Sequence, residues 1–245
     1  MRQDLDLKLV WLAALAATVF YSLLLVFAYP AIGFDMHVRY APMAEAFAAC
    51  NWQQAFHPRF GLSFTCLTGP LVALTGMGGR AACLVVSAAL WCFASVPLFA
   101  VLRRLFGRET AWWSVGVLLV AFTYLYMAGE GRRDTGRILG FAWMALGFVR
   151  TFRDPSAPTN PVAGSLWMAA GLLLTMTLKV DGIPTGSILL AVYAALCLRR
   201  RLLAALVAPV VAWALSIAAS TLLVHSFTGH WLPFLQLIRF LGRWL

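Results

Sequence analysis

The sequence is poor in charge: 11% of its 245 residues are Asp, Glu, Lys or Arg, where a soluble domain carries about a quarter. That shortage excludes an ordinary water-facing surface. Acidic residues number nine, and lysine occurs twice. The five cysteines show no metal-ligand spacing. No His-Glu-x-x-His motif, serine nucleophile elbow or glycine-rich phosphate loop occurs, which removes the familiar zinc-hydrolase, α/β-hydrolase and nucleotide-binding signatures. An internal repeat of the kind many transporters carry is also missing.

Hydrophobic residues make up 62% of the chain. They fall in uncharged runs of roughly 17 to 23 residues, enough to cross a hydrocarbon core of about 30 Å as helices. Backbone groups in lipid must pair internally, so the expected fold is an all-α polytopic membrane protein. Seven spans are predicted, at about 9–29, 81–102, 111–128, 136–152, 162–178, 182–198 and 202–224, in a single membrane domain over 1–245. The first is too long for a signal-peptide core. In the fourth, Arg137 and Arg150 would reach out to the two interfaces. Residues 230–245, HWLPFLQLIRFLGRWL, form an amphipathic segment suited to a membrane surface.

The longest polar interruption is the 30–80 loop. Met36, Tyr40, Met43 and Phe47 fall at helical spacing opposite Arg39 and Glu45, and Trp52, Phe56 and Phe60 repeat the pattern. Short interfacial helices are expected, with Pro42 starting or kinking one of them. Residues 62–77 are read as a third such helix, interfacial or re-entrant, broken at Gly69-Pro70. Cys50 and Cys66 fall in the same region, as a disulfide or as two free thiols.

The net charge of +10 is nearly all arginine, clustered between apolar runs. That pattern signals topology and contact with membrane lipid, not nucleic acid, for which a basic stripe with stacking aromatics is absent. Arg103, Arg104 and Arg108, then Arg150 and Arg153, then Arg199, Arg200 and Arg201 are separated by two spans each and share a side with Arg2 and Lys8. The positive-inside rule makes that side cytoplasmic. The 30–80 loop, the GEGRRD loop, the Lys179–Asp181 turn and the C-terminus then face outward.

This topology gathers Asp35, Glu130, Asp134 and Asp181 on the outer face. Asp35 and Asp134 are the stronger candidates because each lies near the end of a span. Asp181 reads better as a solvated loop residue. Arg132, Arg133 and Arg137 lie outside against the topology rule, which a phosphate ligand would explain; the alternative is that Arg132 or Arg133 pairs with Glu130 or Asp134. Arg39 and Lys179 add positive charge on the same face. His37 and His57 are candidates for a divalent metal or a substrate, against the commoner case of a loop histidine that binds neither. A carboxylate beside guanidinium groups at a membrane surface suits group transfer from a lipid-linked phosphate.

Four stretches resemble the C-type (GT-C) membrane glycosyltransferases, the group of the protein O-mannosyltransferases and the lipid A aminoarabinose transferase. They are Asp35 followed by Tyr40-Ala41, Glu45-Ala46 and Asn51-Trp52; His57-Pro58 before an apolar segment; Arg103-Arg104-Leu105-Phe106-Gly107; and Arg133-Asp134 opening the fourth span. The resemblance implies a seven-span module with interfacial helices in its first outer loop, Asp35 as catalytic base and Asp134 as a second acidic residue. It also implies a polyprenyl-phosphate-linked sugar as donor, used at the outer face of a bacterial inner membrane. Met36 stands where many members have Glu, and Arg59-Phe60-Gly61-Leu62 replaces their double proline. Members usually continue past seven spans, whereas this sequence ends at Leu245, so a minimal, split or truncated enzyme is part of the expectation. The alternatives are a non-catalytic scaffold or subunit serving a partner membrane protein, and a small transporter or flippase. Against the transporter, the spans hold almost no ionisable residue to line a path.

Overall fold

The computed structural model describes residues 2–28, 35–56, 62–121, 134–152, 161–178 and 182–229. Among them there are helices and no strands. We label the helices α1 (Arg2–Leu23), α2 (Ala41–Ala48), α3 (Trp52–Ala55), α4 (Leu62–Thr75), α5 (Gly79–Phe93), α6 (Ser95–Phe106), α7 (Arg108–Val120), α8 (Asp134–Phe152), α9 (Pro161–Leu178), α10 (Gly182–Arg199) and α11 (Val207–Thr228). Two π-helical turns, Leu24–Ala28 and Met36–Tyr40, extend α1 and precede α2.

Five helical segments are long and apolar enough to cross a membrane: Asp4–Ala28, Gly79–Phe106, Pro161–Leu178, Gly182–Arg199 and Leu203–Phe227. Each contains one of the predicted spans or nearly all of it. The expected 136–152 span is a helix, α8, but its charged ends keep it out of this set. The expected 111–128 span is helical as far as Val120, and the rest lies outside the described residues. So do the 230–245 segment and residues 153–160.

Helices in lipid gain little from burying apolar surface against one another, so close backbone approach and polar contacts must join them. Both devices are present. Along α8 and α9, Gly140 faces Gly171 and Gly147 faces Gly164. A methyl group on Gly147 would come within 2.7 Å of Met168 N and 2.9 Å of Gly164 O, so glycine there sets the spacing of the two helices. Polar contacts close helix ends. The last carbonyls of a helix have no partner within it. Those of α7 are met by Tyr21, whose hydroxyl donates to Leu119 O at 2.7 Å, and by Trp91, whose Nε1 donates to Leu118 O at 3.1 Å. The same two rings pack against each other in a core shared by α1, α4, α5, α7 and α9. A second core joins α8 to α11 around Met168, Leu172 and Tyr193, with the Tyr193 hydroxyl 3.0 Å from Thr151 Oγ1.

Burial shows which helices lie at the centre. In Gly79–Phe106 61% of the most apolar stretch is buried, against 17% in Asp4–Ala28. α1 therefore runs along the outside of the bundle. It is held at its start by Asp6, a side chain 3% exposed. Asp6 Oδ1 accepts from Arg108 Nη2 at 2.8 Å and Oδ2 from Arg108 Nε at 2.9 Å, while Arg103 Nη1 lies 3.1 Å from Oδ2. Gly107, at φ +94°, makes the turn that brings Arg103 and Arg108 to the same carboxylate, in a backbone conformation side-chained residues rarely adopt. Arg104 is close enough to Arg150 for the two charges to interact. Arg200 caps the end of α8 by donating to Phe152 O at 2.9 Å and stacking on that ring. The arginine clusters of residues 103–108, 150 and 200 thus share one end of the bundle.

Candidate functional site

The opposite end is built from the first loop. Pro42 lies where the π-helical turn Met36–Tyr40 runs without a break into α2, so it does not open a separate helix. Met36, Tyr40 and Met43 are buried as their spacing predicts, and Glu45 is exposed. Gly69-Pro70 does not break the third helix: α4 runs through both residues. Phe47 lies so close over Gly69 that any side chain there would collide with its ring, so the glycine is a packing position. Pro70 only leaves the Cys66 carbonyl without its usual partner. Cys50 and Cys66 are both free and exposed thiols.

Three contacts attach this layer to the bundle. Glu45 Oε1 accepts from Gly79 N at 2.9 Å, capping α5, whose first residue lies directly against the Ala41 backbone. Ser63, at the start of α4, shares a hydrogen bond with Thr177, at the end of α9. Phe56 stacks on Phe227 of α11 at 5.4 Å, with Trp52 alongside. The Glu45 cap had no local signal in the sequence, because its partner is 34 residues away.

Asp35 immediately precedes the π-helical turn and makes no side-chain cap to it. Its Oδ1 accepts from Arg39 Nη1 at 2.6 Å, and the two side chains are each 41% exposed. His37 lies on the same turn and is exposed. Asp134 opens α8, with Oδ1 3.7 Å from Arg137 Nη1, a charge contact too long for a hydrogen bond. Arg137 also lies over the Phe141 ring, 5.9 Å from its centroid. Its pairing with Asp134 follows the i, i+3 spacing of a helix, which the sequence reading had not used.

The segments that carry the two aspartates both pack at this end of the bundle. Met36, beside Asp35, and Leu178, at the end of α9, are in the same buried cluster. Gly136, two residues after Asp134, is packed against Leu178 and Leu90. Of the other residues expected at the site, His57, Arg132, Arg133 and Lys179 lie outside the described residues, as do Glu130 and Asp181. Among the described residues no three His, Cys, Asp or Glu side chains come together as metal ligands would.

Comparison with family models, curated proteins and solved structures finds no match. What can be said of this end therefore rests on its own chemistry. It presents a half-exposed carboxylate–guanidinium pair and a second carboxylate at the head of a neighbouring helix, at the pole remote from the main arginine clusters.

Proposed function

We propose that the chain is a membrane glycosyltransferase of the C type, which moves a sugar from a polyprenyl-phosphate donor to a hydroxyl acceptor at the outer face of a bacterial inner membrane. The observation that carries this reading is the Asp35–Arg39 pair. An ion pair this exposed contributes at most about 1 kcal/mol to folding, so stability gives little reason for placing two charges there. A substrate can reach both.

In the proposed reaction Asp35 accepts the proton of the acceptor hydroxyl as that oxygen attacks the anomeric carbon. The bond from that carbon to the phosphate oxygen breaks, and its electron pair leaves with the phosphate. Arg39, with Arg132 and Arg133 from the sequence just before α8, meets the charge that develops there, which is worth most when the donors are already in place. Asp134 orients the acceptor or those arginines.

The test is transfer from a radiolabelled polyprenyl-phosphate sugar by membranes holding the wild type, Asp35→Asn or Asp134→Asn. A base of this kind contributes about 10²- to 10⁴-fold, so Asp35→Asn should fall by at least the lower figure. Undiminished transfer by Asp35→Asn rejects the base assignment. No transfer by any form, together with stable association with another membrane protein, assigns the module to a non-catalytic subunit.

A further inference from the structure

A groove of about 480 Å³ runs along the side of the bundle near its arginine-rich end, within the usual range of ligand sites. Trp11 of α1 forms one wall and Leu139 and Trp143 of α8 the other, over a floor that runs from Leu90 to Ala100. Its lining is apolar apart from one cation, Arg150. The guanidinium of Arg150 lies over the Trp167 ring, 5.5 Å from its centroid. Its Nε is buried without a hydrogen-bond acceptor, and among the described residues no carboxylate pairs with it. The nearby charge of Arg104 adds to the local positive potential.

Length and charge together identify the occupant. From Leu139 to Arg150 is about 16 Å along a helix, at 1.5 Å per residue, close to half of the roughly 30 Å hydrocarbon core. We infer that the groove holds an acyl chain of an anionic glycerophospholipid from the leaflet at the arginine-rich end, with the lipid phosphate on Arg150. The fork of a guanidinium suits phosphate oxygens, and among the described residues no carboxylate competes for it. A second copy of the chain fits less well. An apolar helix laid there would seal Arg150 against hydrocarbon. The inference does not depend on the glycosyltransferase reading, which puts its donor phosphate at the other pole.

The experiment is native mass spectrometry of the full chain, purified in detergent and exposed to equal amounts of phosphatidylglycerol and phosphatidylcholine with identical acyl chains. The wild type should retain one phosphatidylglycerol, preferred by about tenfold. Arg150→Gln should bring retention down to that of phosphatidylcholine. Ala100→Trp, which keeps the charge and fills the floor, should lose both lipids. Helical content by circular dichroism establishes that each variant is folded, and if Arg150→Gln is not, the headgroup competition and Ala100→Trp decide. Equal retention of the two lipids by the wild type overturns the proposal, as does phosphatidylglycerol binding indifferent to Ala100→Trp. A dimer cross-linked through Ala89→Cys would give the groove to a second copy instead.

Discussion

Arg39 donates to Asp35 across one turn of helix at 2.6 Å, with both side chains open to solvent. The pair holds a carboxylate and a cation in close relation at the end of the bundle. Arg39→Gln should therefore leave the fold intact and lower transfer by about tenfold, a loss of about 1.4 kcal/mol in transition-state stabilisation. Steady-state kinetics on the radiolabelled donor would read this as a fall in turnover smaller than that of Asp35→Asn. Equal losses would mean that the two residues act as a unit.

The glycine seam between α8 and α9 makes a prediction about stability alone. Gly147→Val would force Met168 and Gly164 away and cost about 1–3 kcal/mol, as overpacking does. Gly116→Ala provides the control, because nothing lies within 4 Å of the added methyl group. Thermal unfolding in detergent should show a lowered Tm for the first and an unchanged or slightly raised one for the second.

Asp6 is the shared partner of Arg103 and Arg108. Asp6→Ala removes the carboxylate and leaves two guanidinium groups facing each other, so α1 should separate from the α6–α7 turn. Hydrogen exchange at the start of α1 should rise. An unaltered exchange profile in Asp6→Ala would remove the case for this contact as the anchor of α1.

Phe227 joins the first-loop layer to α11 by stacking on Phe56 and meeting Trp52. Phe227→Ala should cost about 1–2 kcal/mol, because the ring is only partly buried and the aromatic contacts themselves contribute about 0.5–1.5. Trp52 fluorescence should shift to longer wavelength as the indole becomes wetter, while transfer activity measures whether that layer must be held in place.

Local pattern made much of the first loop legible. The helical spacing of Met36, Tyr40 and Met43 identified a buried face, because that effect acts within one or two turns. The same local logic failed at Gly69-Pro70. There the Phe47 ring, brought over by α2, makes glycine a packing residue and a continuous α4 the better arrangement. The Asp35–Arg39 pair could have been found from its i, i+4 spacing alone. Arg150 could not be singled out in the sequence, where it was one arginine among many at an interface. Its setting depends on Trp167 and on the groove between α1 and α8, which only the folded chain brings together.

The contact between Asp6 and Arg108 spans 102 positions of sequence. A ribosome releases α1 long before it has made the residue that fastens it. The helix must wait in the bilayer, oriented but not yet attached, until the hairpin of α6 and α7 arrives. On the positive-inside reading, the arginines that orient the growing chain are reused as its latch, so a substitution at Asp6 should leave insertion untouched while undoing assembly.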